Sequence, residues 1–298
     1  MKSISPPLSA FGKDSDRRIH VAEWLMRMAV LLFALGLAVA LFTRTGSAVG
    51  NVALMEWGWN HRDIFLAERI SAAVLLLVAV TILLFPTTLA LLFLAGVIMV
   101  EAIAAYHFGG NPFVEYTPLA HTLRYAMPLA LIPLVFSRRW IPSMRWRLPA
   151  ACWILRIGIA VVFVIHGLEA LWLHPQFLDL IIGSAEQVFG VRVSESQAGI
   201  LLRIIGVVDL LVALLLLIRP WPVLLGWICF WGLITALSRP LSLGFGSYPE
   251  VLLRSSHILA PIALGLLWSA WKRTQRSRKT ASPTAPIEGK STSSPNPG

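Results

Sequence analysis

The side chains best suited to chemistry are ionisable residues that lie within long apolar stretches of the sequence. They are Arg69, Glu101, His121 and Arg124 in the first half of the chain, and His166, Glu169, Arg203, Asp209, Arg254 and His257 in the second. An ionised group inside a bilayer is costly unless it is paired or hydrated. Arginine and histidine donate hydrogen bonds to carbonyl or phosphate oxygens, and a carboxylate beside a histidine can move protons.

Two interpretations of these residues remain open. In the first, they form a buried network of ion pairs and hydrogen bonds that orients the helices. The candidate pairs are Arg69 or Arg124 with Glu101, and Arg203 or Arg254 with Glu169. In the second, they line a pocket that opens to the outer leaflet and binds a lipophilic molecule with polar groups, such as a quinone or a lipid headgroup.

Other kinds of site have less support. A b-type haem needs two histidines facing each other, and the positions of His121, His166 and His257 in the sequence do not establish that geometry. Cys152 and Cys229 lack redox spacing, so we interpret them as apolar packing residues. No P-loop, nucleophile elbow, His-Glu-x-x-His motif or dinucleotide fingerprint occurs. The sequence therefore predicts no metal site and encodes no recognisable cofactor motif.

The composition is that of a membrane protein. Of the 298 residues, 57% are hydrophobic and only 13% are charged, whereas soluble domains carry roughly a quarter charged residues. Eight stretches approach the ~20 apolar residues that a spanning helix needs. They are 22–43, 68–85, 88–107, 117–137, 151–173, 198–218, 221–238 and 252–271. We therefore predict an all-α polytopic membrane protein with eight transmembrane helices, with the bilayer as its partner and no nucleic acid.

Basic residues are concentrated on one side of these spans, in segments 1–21, 138–150 and 272–298. The opposite side holds only Arg44, Arg62, Arg192 and Arg239. The positive-inside rule then predicts an inner-membrane protein with both termini and the basic linker in the cytoplasm. The last segment is also rich in serine, threonine and proline, which predicts a disordered tail. Arg27 and Arg156, at cytoplasmic ends of spans, are expected to extend to lipid headgroups.

A longer outer segment follows the first span of each half. In 176–190 the apolar residues fall at helical spacing, which predicts an amphipathic helix lying on the outer surface. Residues 52–65, which include Trp57 and Trp59, occupy the same place in the first half. We expect a similar surface segment there.

The two halves of the chain resemble each other. Residues 24–28 align with 153–157, residues 68–86 with 202–220, and residues 127–131 with 260–264, at offsets of 129, 134 and 133. The pattern predicts two four-helix bundles, 22–137 and 151–271. Because each contains an even number of spans, both enter the membrane in the same direction, as parallel repeats. The alignment superposes Arg69 on Arg203, His121 on Arg254 and Arg124 on His257.

The second repeat resembles the DoxX-like family of membrane proteins. Its residues 155–158, Leu-Arg-Ile-Gly, followed by His166-Gly167-Leu168, resemble the arginine, glycine and His-Gly-Leu elements of that family's first helix. Residues 205–211 resemble the glycine-to-acid stretch of its second helix. The first repeat has Gly36 and Leu37 where the histidine and glycine would stand. The resemblance implies a four-helix unit and, as in some members, a membrane subunit associated with quinone-linked sulfur oxidation.

Three functions are compatible with these observations. The first is a quinone- or lipid-binding membrane subunit of an oxidoreductase system, with a polar pocket in the outer leaflet and a partner subunit that supplies electrons. The second is a non-enzymatic carrier of a small lipophilic molecule. The third is a membrane scaffold or assembly factor whose polar network is structural.

Overall fold

The computed structural model describes residues 13–43, 47–108, 113–139 and 146–280. Within these ranges the regular elements are all helices, and eight of the helical segments are long and apolar enough to cross a membrane. The long helices are α1 (Lys13–Thr43), α3 (His61–Leu84), α4 (Thr88–Phe108), α6 (Thr122–Arg139), α7 (Arg147–Leu171), α9 (Glu195–Ile218), α10 (Pro222–Leu243) and α12 (Ser255–Thr280). The predicted all-α class and the predicted number of spans are confirmed.

Four shorter α-helices connect the long ones: α2 (Ala48–Met55), α5 (Thr117–Ala120), α8 (Pro175–Phe189) and α11 (Pro249–Leu253). Both α5 and α11 carry a proline in their first turn, where the missing N–H costs no intrahelical hydrogen bond. Each is separated from the following long helix by one residue, His121 before α6 and Arg254 before α12. These two side chains, which the sequence alignment superposes, therefore lie at matching breaks in the helix.

Several helix boundaries differ from the predicted ones. The first helix begins at Lys13 rather than at residue 22, and α12 continues to Thr280, past the predicted end at 271. Helix α8 confirms the predicted helix over 176–190, whereas the segment 52–65 is not one element, because α2 ends at Met55 and α3 begins at His61. Residues 140–145 of the predicted linker and 281–298 of the predicted tail lie outside the described residues.

The long helices pack in two groups that meet along α1, α6, α7 and α12. In the first group, α1 and α4 each contact α3 and α6. In the second group, α7 and α10 each contact α9 and α12. Between the groups, α1 packs on α12 and α6 packs on α7. Fully buried residues such as Met26, Leu131, Leu155 and Leu264 lie on these central helices. The core is therefore shared by both halves of the chain.

Two glycines let α7 and α9 approach closely. A Cβ at Gly206 would lie 2.7 Å from the carbonyl oxygen of Gly167, and a Cβ at Gly167 would lie 3.0 Å from the carbonyl oxygen of Gly206. Small residues allow such backbone contact between membrane helices, where van der Waals packing contributes much of the association energy. The contact fixes the spacing of the two helices beside His166, which precedes Gly167.

Arg156 stabilises the end of α9. The prediction that its side chain extends to lipid headgroups is wrong. Its side chain is buried, its Nε donates to the carbonyl of Leu216 at 2.7 Å, and its Nη2 donates to the carbonyl of Leu217. Arg27 is likewise buried and donates to the carbonyl of Leu83 at 3.5 Å, at the end of α3. The last carbonyls of a helix have no partner within it, and a cation there also complements the helix dipole.

Candidate functional site

An internal cavity of about 380 Å³ lies among the helices of the second half. Its wall is mainly apolar, with Phe163 contributed by α7, Ile205 by α9 and Trp231 by α10, and with Leu123 reaching it from α6. Five ionisable side chains also line it: His166, Asp209, Arg239, Arg254 and His257. An apolar body with a few polar groups is the usual composition of a small-molecule site.

His166 and Glu169 form a hydrogen-bonded pair beside the cavity. The Nδ1 atom of His166 lies 2.8 Å from Oε2 of Glu169, and the Glu169 side chain is buried. The ring of His257 lies across from His166, with ring centroids 6.4 Å apart, and the edge of Phe177 contacts His166. Because Glu169 engages Nδ1, the opposite nitrogen of His166 is left to interact with a ligand.

The helix packing brings three arginines together near this end of the cavity. Arg254 forms an ion pair with Glu250 at 2.9 Å. Arg239, on α10, lines the cavity but makes no hydrogen bond or ion pair within the part of the chain that the structure describes, and its Nε is buried. Arg124 is contributed by α6 and interacts electrostatically with both Arg254 and Arg239. Arg124 itself does not line the cavity; the residue of the first half that does is its neighbour Leu123.

Close packing of α10 against α12 positions His257. A Cβ at Gly232 would lie 2.7 Å from the carbonyl oxygen of His257, so the glycine lets the two backbones touch. The break at Arg254, about one turn earlier, separates α11 from α12. The Nδ1 atom of His257 is buried and has no hydrogen-bond partner among the described residues.

Helix α8 closes one side of the cavity. It begins at Pro175 and ends before Gly190, whose φ of +63° is the left-handed conformation typical of a helix C-terminus. Its apolar face, which includes Phe177 and Ile181, lines the cavity. It is fastened to α10 by bonds such as that from the hydroxyl of Ser242 to the carbonyl of Asp179, at 3.3 Å.

The cavity opens on the outside of the helix bundle between α8, α9 and α10. Three of its lining residues are also well exposed: Phe189 at 76%, Leu201 at 46% and Ile234 at 39%. All three are apolar. The exposed part of the cavity wall is therefore apolar.

Asp209 is the predicted carboxylate that lines the cavity, and no hydrogen bond or ion pair joins it to another described residue. It lies on α9, less than one helical turn past the contact between Gly206 and Gly167, toward the end of α9 that Arg156 caps. The side chain is buried, and its Oδ1 accepts no hydrogen bond from the described residues. A buried polar group without a partner is uncommon and costly, which makes Asp209 a candidate for contacting a ligand or a proton.

None of the four predicted residues of the first half lines this cavity. Arg69 stacks on the ring of Phe65, 3.9 Å from its centroid, and donates to the carbonyl of Phe42 at 3.2 Å. Glu101 accepts hydrogen bonds from the backbone N–H groups of Ala48 and Val49, at 2.7 and 3.3 Å. These bonds stabilise the beginning of α2, where backbone N–H groups lack helical partners.

The predicted ion pairs are wrong in each case. Glu101 binds backbone N–H groups rather than Arg69 or Arg124, and Glu169 binds His166 rather than Arg203 or Arg254. Arg203 is exposed on α9 and does not line the cavity. His121 does not line it either, although it interacts electrostatically with Arg124, Arg254, His166 and His257.

Three further functional candidates were missed in the sequence. Arg239, which the distribution of basic residues places outside the spans, lies inside α10, and Glu250 lies in α11. Glu68, which accepts from the N–H of Ser47 at 2.7 Å, was taken only as part of a span. Apolar residues continue after Arg239, at Leu241 and Leu243, and this pattern indicates that α10 continues past Arg239.

The described residues contain no group of three or more histidine, cysteine, aspartate or glutamate side chains that could hold a metal ion. No family model, curated protein or solved structure matches the chain.

Proposed function

We propose that the chain is a DoxX-like membrane protein that binds one lipophilic molecule in the cavity of its second half. The observation that carries the proposal is the cavity itself, whose apolar body opens on an apolar flank while its other lining groups are His166, Asp209, Arg239, Arg254 and His257. A molecule with an apolar tail and a polar head matches both parts. The lipid-facing opening allows it to enter from the bilayer.

We further propose that the helices form two parallel four-helix repeats. Equivalent contacts support this arrangement, because Arg27 donates to Leu83 in the first half and Arg156 donates to Leu217 in the second. The donors and acceptors are related by the same offsets as the surrounding sequence. The matching helix breaks at His121 and Arg254 are a third equivalence.

In this proposal the protein lies in the cell inner membrane with both termini in the cytoplasm. The support is the distribution of lysine and arginine, which are concentrated at the end of the bundle where α1 begins and α12 ends. The cavity's arginines then lie toward the outer leaflet.

A quinone is the redox-active ligand that fits the proposal. Its reduction takes up two electrons and two protons, and the chain carries no recognisable redox centre, so a partner subunit would supply the electrons. The pair of His166 and Glu169 is placed to pass protons to a bound carbonyl oxygen. The DoxX-like resemblance supports a membrane subunit of an oxidoreductase system.

A non-enzymatic carrier is the second candidate, favoured by the lipid-facing opening at Phe189, Leu201 and Ile234. A carrier would move its ligand between liposome leaflets without an electron acceptor. A redox subunit would bind the same ligand but would require its partner for turnover.

The proposal is tested by native mass spectrometry of the full chain, purified in mild detergent with and without an added short-chain ubiquinone. We expect a lipophilic molecule to be retained by the wild type, and we expect His166→Ala to lose it. Arg203→Ala is the matched control, since Arg203 is exposed and lies outside the cavity. If the wild type retains no lipophilic molecule under either condition, the proposal fails. A Soret absorption band would instead indicate haem.

A further inference from the structure

We infer that the molecule bound in the cavity carries an anionic headgroup, a phosphate or a carboxylate, which is bound by Arg239 and Arg254. The inference rests on the proposed function and narrows the class of ligand. It follows from the way arginines and carboxylates are paired at the polar end of the cavity.

The arginines at this end of the cavity outnumber the carboxylates beside them, because Asp209 lies farther along α9 and is not among the carboxylates that act on Arg239. Glu250 is engaged by Arg254 at 2.9 Å, and Glu169 is engaged by His166 at 2.8 Å. Arg239 therefore has no carboxylate within ion-pair distance among the described residues, although Glu250 and Glu169 act on it at longer range. Arg239 is half-buried with its Nε fully buried, and a permanently charged guanidinium that is partly withdrawn from water without a close partner is unfavourable.

Arg124 adds to this excess of positive charge. Its Nε is buried without a hydrogen-bond acceptor among the described residues, and its guanidinium lies 5.9 Å from the centre of the Phe33 ring. It interacts unfavourably with Arg254 and Arg239 and favourably with Glu250. Arg124 does not line the cavity, but its charge adds to that of the two arginines that do.

The neighbouring hydroxyl groups do not compete for an anion as donors. Thr235 donates to the carbonyl of Gly232 at 3.2 Å, and Ser238 donates to the carbonyl of Thr235 at 2.9 Å. The strongest donors that remain are the guanidinium groups of Arg239 and Arg254. Guanidinium binds phosphate and carboxylate oxygens with paired, charge-assisted hydrogen bonds. A neutral carbonyl would accept one such bond but would leave the charge uncompensated.

The apolar body of the cavity indicates that the anionic group is attached to a tail. The cavity extends from these arginines to Leu123, Ile159 and Ile228, all of which are buried side chains. A free anion would leave this region unused, whereas an acyl or isoprenoid chain would fill it. A lipid headgroup and a free anion present the same anionic group to the arginines. The two sources are therefore compared directly in the experiment.

The test compares ligands that share a tail and differ in charge. The full chain in detergent is titrated with monooleoyl lysophosphatidate, with monooleoylglycerol and with inorganic phosphate, and binding is followed by native mass spectrometry. We expect the lysophosphatidate to bind at least about tenfold more tightly than the neutral glycerolipid, as the loss of one charged hydrogen bond predicts. Inorganic phosphate alone should neither bind nor compete at millimolar concentration.

Arg239→Gln should remove the preference for the phosphate-bearing lipid, Arg239→Lys should retain part of it, and Arg203→Gln should leave it unchanged. Because Arg239→Gln also removes an uncompensated charge, we expect its melting temperature without ligand to equal or exceed that of the wild type. Equal binding of the two lipids would overturn the inference and leave the proposed function intact. If neither lipid nor ubiquinone binds, the proposed function fails as well. Binding of phosphate as tight as that of the lysophosphatidate would support the anion site and assign a free anion as its source.

Discussion

The arginines inside the bundle have three different environments. Arg156 is buried and binds helix-terminal carbonyls, Arg69 stacks on an aromatic ring, and Arg239 reaches the cavity without a close partner. The planar guanidinium suits all three, because it donates several hydrogen bonds in fixed directions and also stacks on rings. Residue type alone therefore does not separate a structural arginine from a ligand-binding one; the partners of its guanidinium do.

Replacing Arg156 tests its structural role. We expect Arg156→Met to lower the free energy of unfolding by about 1–3 kcal/mol, because the carbonyls of Leu216 and Leu217 lose a charged donor in a buried position. Thermal unfolding of the purified protein in detergent measures the change. Arg203→Met is the control, since that side chain is exposed and makes no comparable contacts. Equal melting temperatures for the two variants would contradict this role.

At the scale of elements, two features shape the cavity: the contact between α7 and α9, and the covering helix α8. The glycine pair Gly167 and Gly206 brings the first two together, while α8 packs against both α9 and α10. Direct contact between α9 and α10 is sparse. The amphipathic α8 therefore replaces a helix–helix contact and leaves an opening beside Phe189.

Gly206→Ala should disturb both the fold and the site. The added Cβ would meet the carbonyl oxygen of Gly167 at 2.7 Å, which is backbone and yields only if α7 and α9 separate. We expect a loss of about 1–3 kcal/mol in stability and weaker binding of any cavity ligand, measured by thermal unfolding and native mass spectrometry.

Gly226→Ala, in α10, is the matched control because a Cβ there meets no atom within 4 Å. It should stabilise the protein by up to about 1 kcal/mol, since alanine favours helix more than glycine does. A destabilised Gly226→Ala variant beside an unchanged Gly206→Ala variant would refute the packing argument.

At the scale of the whole molecule, the two halves of the chain have some equivalent contacts but differ in their polar sites. In both halves an arginine binds carbonyls at the end of the second long helix. In both, the helix is interrupted by one residue before the last long helix begins. In the first half, however, Glu68 and Glu101 are occupied in capping α2. Arg124 of the first half acts electrostatically on the arginines that line the cavity of the second, and Leu123 lines that cavity directly.

The proposed orientation is tested by labelling single cysteines in intact cells. In a background with Cys152→Ala and Cys229→Ala, a membrane-impermeant maleimide should label Glu186→Cys on α8 from outside. It should label Arg273→Cys, in the last turns of α12, only after the cells are permeabilised. Both native side chains are exposed, so accessibility is not limiting. Labelling of the Arg273 position in intact cells would reverse the orientation.

Most of the helices could be predicted from the sequence. The eight spans and the surface helix α8 follow from runs of apolar residues and from their helical spacing, which are properties of each segment by itself. Boundaries were less accurate, because a helix continues past a charged residue when packing or an internal partner accommodates it. Helix α10 continues through Arg239, past the predicted end of the span at 238, and this places Arg239 within a helix of the site.

The site was predictable only in part. His166, Asp209, Arg254 and His257 were recognised because ionisable residues within apolar segments are conspicuous, and all four line the cavity. Arg203 was recognised for the same reason, but it faces outward. Its helix is rotated so that Leu202, Gly206 and Asp209 point inward instead. A nearly uniform apolar helix carries little information about which face is buried.

The sequence by itself determined the eight helices of the described residues that are long and apolar enough to span a membrane, because hydropathy accumulates along each segment regardless of its neighbours. Only the tertiary structure decided which charges meet. Glu169 pairs with His166, Glu250 pairs with Arg254, and Arg239 faces the cavity without a close carboxylate. Such partnerships depend on the rotation and contact of helices distant in sequence, and that geometry lies outside any single segment.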